Sequence, residues 1–238
     1  MPDRRHDVSF DPDYFAHRAE SGRPMAPLEA FRHVIETNLW GDPESVSGSG
    51  SSLDQTRRLR QELPALFRRL GIRSILDLPC GDGQWMARVD LAGIAYTGGD
   101  LLPELIDANR ARGPAHFEVL DLTASPLPPA DLLLCRDCLV HFSFADAARA
   151  FANISRAAIT WFLSTTFPAE ATNLNIMTGD WRPLNLERPP FNLPPPALLL
   201  SEGCTEGKGR FLDKSLGLWA VKDLPPEPAV HSSKEIVP

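Results

Sequence analysis

Ser74-Ile75-Leu76-Asp77-Leu78-Pro79-Cys80-Gly81-Asp82-Gly83-Gln84-Trp85 joins a short β-rich run to a turn with two glycines and an acid at its start. The run Ser74–Leu78 predicts a buried strand. The glycines give the turn the freedom for positive φ and for close backbone approach to a ligand. A second acid, Asp100, ends the next predicted strand in Tyr96-Thr97-Gly98-Gly99-Asp100. Roughly 20 residues beyond such a turn, a carboxylate is placed to accept both hydroxyls of an adenosine ribose.

On either side of this stretch the pattern alternates between strand and helix. Trp85–Val89 predicts a helix, Ile94–Gly98 a strand and Leu102–Ala111 a helix. His116–Leu120 and Asp131–Cys135 predict further strands, and Ala145–Arg156 a helix feeding the apolar run Ile159–Ser164. Repetition of strand, helix, strand implies an α/β fold, a Rossmann-like doubly wound and mostly parallel sheet with helices on both faces. The proline-rich segment from Pro168 carries two more strands, Ala197–Leu200 and Leu216–Val221, that suit a hairpin at the sheet edge.

Upstream, Pro27–Leu39 places Leu28, Phe31, Val34, Ile35 and Leu39 at helical spacing. Residues 1–25, with Pro12 and Pro24, read as a polar arm or lid. The segment Leu53–Leu70 predicts a second helix stopped by Gly71, with Pro64 set to kink or divide it. The organisation expected is an N-terminal arm, helix and Ser/Gly-rich loop over 1–52, a ligand-binding domain over 53–224, and a disordered tail over 225–238.

The 238 residues are 43% hydrophobic and 23% charged, ordinary for a globular protein. A net charge of -7 weighs against nucleic acid as a partner. The cysteines Cys80, Cys135, Cys138 and Cys204 are too sparse for a disulfide framework. Met1–Phe10 has no apolar run to act as a signal, and no stretch is long enough to cross a bilayer. A cytoplasmic location is expected, and the oligomeric state is not legible.

A dinucleotide site favours G-x-G-x-x-G, with pyrophosphate on a helix N-terminus. Here the turn is Asp77-x-Pro79-x-Gly81-x-Gly83, and its leading acid suits an ammonium group better than a pyrophosphate. Over residues 72–167 the sequence resembles the class I S-adenosylmethionine-dependent methyltransferases, whose first motif is D/E-x-G-x-G-x-G. That resemblance assigns Asp77, Pro79, Gly81 and Gly83 to the methionine part of S-adenosylmethionine and Asp100 to its ribose. It assigns Asp121, in Glu118-Val119-Leu120-Asp121-Leu122, to the adenine amino group, and Leu127-Pro128 matches a dipeptide common in the family. Cys80, Trp85, Leu101, Leu122 and Arg136 complete the expected cofactor set. Proline stands at position 79 where the family usually has glycine, and it removes one backbone N–H.

Beyond the fourth strand lie Arg136, Asp137 and His141, at the end of the sheet where ligands bind in doubly wound folds. Methyl transfer to a hydroxyl benefits from a base, and His141, oriented by Asp137, is the candidate. The alternative is that His141 packs or caps the following helix while Asp137 pairs with Arg136. Cys135-x-x-Cys138 lacks the second pair of a zinc site, and no metal is expected. Its first cysteine belongs to an apolar strand, where it packs as a small hydrophobe.

Two flanking segments are candidates for ligand contact. Ser47-Gly48-Ser49-Gly50-Ser51-Ser52 precedes a helix, and Ser52, Thr56 and Arg60 share a helical face that either closes over a ligand or is merely solvated. Thr166 follows the fifth strand, and Trp181 and Arg182 lie in Thr178–Leu186, a loop rich in stacking and charged groups. These three are the candidate acceptor contacts. The flanks resemble bacterial methyltransferases of uncharacterised acceptor, some of them tied to surface glycans or secondary metabolites. The reading that follows is an enzyme transferring a methyl group to oxygen of a small polar acceptor such as a sugar, phosphorylated metabolite or natural-product intermediate. N-methylation and a catalytically silent, cofactor-binding partner domain are the alternatives. A nicotinamide-dependent oxidoreductase is disfavoured by the glycine pattern.

Overall fold

The computed structural model describes residues 11–225. The stretch Met1–Phe10 and, beyond Pro225, the expected tail lie outside the described residues. Seven strands form one sheet: β1 (Ser74–Asp77), β2 (Ala95–Asp100), β3 (His116–Val119), β4 (Ala130–Cys135), β5 (Ile159–Thr166), β6 (Leu198–Ser201) and β7 (Ser215–Ala220). Their order is β3-β2-β1-β4-β5-β7-β6. β1 to β5 are parallel, and β7 runs antiparallel between β5 and β6. The expected α/β sheet and its edge hairpin are both present.

The strand order reverses between β1 and β4, which opens a crevice beyond their carboxyl ends. Asp77 closes β1 there, paired with Leu134 of β4 and Gly98 of β2. β4 is apolar through Leu132, Leu133, Leu134 and Cys135, all fully buried, because both its faces are covered. Leu133 and Cys135 join Leu76, Phe151 and Phe162 in one core layer. Leu132 and Leu134 join Ile75 and Leu163 in the other.

Five helices cover the sheet and its rim: α1 (Tyr14–Glu20), α2 (Pro27–Thr37), α3 (Arg57–Leu70), α4 (Pro103–Arg110) and α5 (Phe144–Arg156). α3 buries Leu59, Leu63, Leu66 and Phe67 against the second layer, each worth about 1.5–3 kcal/mol relative to exposure. It starts at Arg57 rather than Leu53, because residues 53–56 form a turn in which the Thr56 hydroxyl donates to the carbonyl of Ser52 (2.8 Å). Pro64 lies inside α3 without dividing it, and Gly71 ends it at φ 65°. The predicted helix Trp85–Val89 is only a 3-10 turn, Met86–Arg88. Trp85, Met86 and Val89 are buried as the periodicity implies, but Val89 is extended and takes the chain away toward β2.

α1 lies in the segment read as a polar arm. Its first amides are satisfied from far along the chain: Phe15 and Ala16 donate to the carboxylate of Asp180 at 2.6 and 3.1 Å. Phe15 packs with Ala30, Val34 and Leu39 in a small core under α1 and α2. Trp181 donates its backbone N–H to Pro12 (3.0 Å), fixing this helical pair to the loop after β5. Among the described residues no helix is long and apolar enough to cross a membrane.

Candidate active site

At the β1/β4 crevice lies a cleft of about 940 Å³, counting the open solvent at its mouth. Its floor comprises Asp77, Leu78, Pro79, Cys80 and Gly81, and Trp85 adds to one side. Asp100, Leu101 and Leu102 follow β2, and Leu120, Asp121 and Leu122 follow β3. Arg136, Asp137, Cys138, His141 and Phe142 follow β4. The cleft thus gathers every predicted cofactor residue except Gly83, which at φ 63° shapes the turn from behind.

Four acids line this cleft, Asp137 beyond β4 and three at the carboxyl ends of β1, β2 and β3. Asp77 accepts from the Tyr96 hydroxyl at 2.7 Å. Asp100 accepts from the amides of Gly81 and Leu102, both at 3.0 Å, so one carboxylate ties the glycine turn to the start of α4. Asp121 accepts from the amide of Thr123 at 2.7 Å, shaping the turn after β3. Burial raises Asp77 to about 7, with the Tyr96 hydrogen bond opposing and the Asp100 charge adding. Burial likewise raises Asp100 to about 6 against the lowering by backbone amides. These acids are poised to ionise when a ligand with positive charge or hydroxyl donors enters.

The Ser/Gly-rich segment is a built part of the site rather than a free linker. Ser45 and Ser51 are buried. The Ser45 hydroxyl and the Val46 amide donate to the Asp82 carboxylate at 2.8 and 3.2 Å. The Asp82 amide returns a bond to the Ser47 hydroxyl at 3.1 Å. Gly81, at φ 54°, lies so close under Ser47 that a Cβ there would collide with its hydroxyl. Thr56 and Arg60 are not turned toward the cleft; both bond to backbone carbonyls of the preceding turn. From α2 and beyond, Phe31, Ile35 and Trp40 cover the opposite side of the cleft.

A second cleft adjoins the first, sharing Trp40, Ser47, Asp137 and His141 with it. Its other walls are Gly48, Ser49 and Gly50, the aromatic group Phe167, Trp181 and Phe211, and the charged side chains of Glu206 and Lys214. Trp181 and Phe211 meet edge to face at 5.0 Å. Trp40 stacks on His141 at 4.3 Å. His141 Nδ1 lies 2.9 Å from the carbonyl of Asp180, which can only accept, so Nδ1 carries the proton and Nε2 keeps its lone pair. Burial pushes the imidazole down to about 4, holding it neutral.

Asp137 does not orient His141, as the sequence reading had it; the Asp180 carbonyl does. The Asp137 carboxylate accepts from Lys214 at 2.8 Å and pairs with Arg136 at 3.2 Å. Burial alone would raise it, but those two cations hold it well below the usual carboxylate range. Arg136 also forms a fully buried pair with Glu202 at 2.6 Å and donates to the carbonyl of Gly50 at 2.7 Å. It lines the first cleft with its donors already engaged.

Two predicted acceptor contacts are displaced by the structure. Arg182 faces neither cleft: it is buried, donating to the carbonyls of Leu139, Phe142 and Leu174 at 2.7, 2.8 and 3.0 Å. It braces the loops beneath His141. Thr166 is buried and accepts from the Leu186 amide at 3.2 Å, pinning the same loop to β5. Of the three, Trp181 alone lines a cleft. The sequence reading missed Trp40, Glu206 and Lys214, none of which falls in a motif, and Asp82, which occupies a variable position of the first one. Cys135 and Cys138 are buried free thiols; the first lies in the core layer behind the site and the second lines the first cleft.

An α/β sheet with three strand-end acids around its switch-point crevice defines the Rossmann-like class I methyltransferase fold. Residues 75–158 match the family described as methyltransferase domain. No curated protein matches the chain. Human N-acetylserotonin methyltransferase, solved in complex with SAM, is similar at a TM-score of 0.50 and 13% identity, over 91% of this chain and 62% of that one. The methyltransferase domain of bacterial CtHen1-CN is similar at a TM-score of 0.50 and 12% identity, over 71% of this chain and 100% of that one. A third solved structure, the PH0226 protein of Pyrococcus horikoshii OT3, is 20% identical at a TM-score of 0.41, over 49% of this chain and 60% of that one. The chain spans under two thirds of the length of the human and Pyrococcus proteins, and these likenesses concern the fold.

The raised acids give a pH prediction. A ligand that needs Asp77 and Asp100 ionised binds the deprotonated protein, so its affinity rises with pH through about 6 to 7 and is lost below. Affinity for S-adenosylhomocysteine should fall at least about tenfold for each pH unit below 6. Calorimetry in two buffers of different ionisation enthalpy should show proton release on binding at pH 6. A flat affinity from pH 5 to 8 without proton release would contradict the assignment of these acids to the ligand.

Proposed function

We propose that this protein is an O-methyltransferase for a small polar acceptor, with S-adenosylmethionine in the first cleft and the acceptor in the second. The observation that carries the reading is His141, which lines both clefts and keeps a free lone pair at Nε2. S-adenosylmethionine supplies a methyl group on a sulfonium and leaves as S-adenosylhomocysteine. Asp100 accepts the ribose hydroxyls, Asp121 the adenine amino group, and Asp77 faces the ammonium end. Leu101, Leu122 and Phe142 enclose the base, and Trp40 with the Ser45–Ser51 loop keeps water from the junction.

His141 is uncharged at neutral pH, so Nε2 is free to take the proton from an acceptor hydroxyl as its oxygen becomes the nucleophile. An amine acceptor, arriving uncharged, has less need of that base. Phe31, Ile35 and Trp40 act as the cover of the cofactor cleft.

The direct test is incubation of the purified full chain with S-adenosylmethionine carrying a labelled methyl group and a panel of hydroxylated and aminated metabolites. Label recovered on an acceptor oxygen is the expected result. Label on nitrogen would replace the O-methyl assignment with the amine one. S-adenosylhomocysteine binding with no transfer to any acceptor would favour a silent binding domain, and preference for NADH would overturn the cofactor reading.

A further inference from the structure

The second cleft has a charge arrangement that discriminates among acceptors. Its lining cation, Lys214, and Arg136 of the adjoining cleft are both spent within the protein. Lys214, itself buried, gives its Nζ to Asp137 at 2.8 Å and has Glu206 and Glu202 at 3.7 and 3.8 Å. Arg136 is closed off by Glu202, Asp137 and the Gly50 carbonyl. Two cations therefore face three carboxylates, and the second oxygen of Glu202, Oε1, is buried with no hydrogen-bond partner. The carboxylates of Asp137 and Glu206 reach the wall of the cleft, each more exposed than Lys214. Arg182, the remaining cation of the neighbouring loop, points into the protein.

The apolar walls are aromatic. Trp181 and Phe211 stand on one side, and Trp40, stacked on His141, on another. Between them run Gly48, Gly50 and Gly207, which add no side chain to the space. Such a cleft offers an aromatic ring stacking partners and acceptor oxygens, with no unpaired cation among its lining residues.

We infer that the second cleft takes a ring-bearing, hydrogen-bond-donating acceptor that is neutral or cationic, and excludes phosphorylated and carboxylated ones. A phosphate or carboxylate placed there would meet the Asp137 and Glu206 carboxylates in a half-buried space, and like charges at that range disfavour binding. A ring hydroxyl donates toward the acidic wall, or toward His141 Nε2 when it is the reacting group. The inference rests on the methyltransferase reading of the first cleft and selects among the acceptors that reading allows, removing the phosphorylated metabolites.

The experiment uses the full chain loaded with S-adenosylhomocysteine and four probes that share a phenyl ring: tyramine, 4-hydroxybenzyl alcohol, 4-hydroxyphenylacetate and phenyl phosphate. Affinities are read by saturation-transfer NMR and competition. Tyramine and 4-hydroxybenzyl alcohol should bind, and both anions at least about tenfold more weakly, a difference of about 1.4 kcal/mol. Glu206→Gln should narrow the gap between tyramine and 4-hydroxyphenylacetate by at least threefold, and Trp181→Leu should weaken every ring probe alike. Anions binding as well as the other probes, a gap unmoved by Glu206→Gln, or no ring binding to the loaded protein would each overturn the inference. Failure of S-adenosylhomocysteine to load is a separate outcome: it would overturn the cofactor reading itself and this inference with it.

Discussion

Asp100→Ala is expected to weaken S-adenosylhomocysteine binding by about 100-fold or more while leaving the protein folded. Two charge-assisted hydrogen bonds from ribose hydroxyls are each worth roughly 1.5–3 kcal/mol, so losing both costs about two to four decades of affinity. The same carboxylate holds the amides of Gly81 and Leu102, and its loss also loosens the turn that shapes the cleft floor. The fold should survive because burying this acid already opposes its ionisation, and alanine removes that cost along with the bonds. Asp100→Asn, which keeps one acceptor oxygen, should fall between the two. Calorimetric titration checks affinity, and circular dichroism checks the fold. Near-normal affinity in Asp100→Ala would place the ribose elsewhere.

The second large effect concerns turnover. His141→Ala is expected to lower kcat on a hydroxyl acceptor by about 10²–10⁴, the usual span for removing a positioned base. S-adenosylhomocysteine affinity should stay within about threefold, because the cofactor acids are untouched. The pH profile separates this role from packing. A base acts when deprotonated, so at saturating cofactor the wild-type rate should stay flat at neutral pH and be lost only as pH falls toward about 4. The cofactor term, governed by Asp77 and Asp100, should already fall near 6 to 7. His141→Gln, similar in size but unable to take the proton, should be as slow as alanine. Normal kcat in both variants would leave His141 as the ring on which Trp40 packs.

The sheet and the cofactor floor were legible because they are local. Asp77 to Trp85 is one unbroken stretch, and Asp100 and Asp121 each end a strand whose apolar pattern stands out. The acceptor side was not legible, because it is made of pairs with no sequence proximity. Asp137 meets Lys214, Ser49 meets Glu206, and Trp40 stacks on His141, and no periodicity reports such pairings. Arg182 looked like an anion binder for its neighbours in sequence, yet its carbonyl partners lie on Leu139 and Phe142. α1 escaped notice because its first amides are capped by Asp180 rather than by a residue beside it. Loop composition pointed to a cleft-lining ring at Trp181, while the residue after it turned inward.

The tie between Pro12–Ala16 and Asp180–Trp181 has a consequence for how the molecule is made. The helices that cover the cofactor are synthesised early, but their partners emerge from the ribosome some 165 positions afterward. Contacts of such long sequence separation form late, once loop closure has been compensated by the rest of the fold. A nascent chain holding β1 to β4 therefore has the acids of the cofactor site without its cover. On the cofactor reading proposed above, full enclosure of the ligand then waits for the loop that carries Asp180.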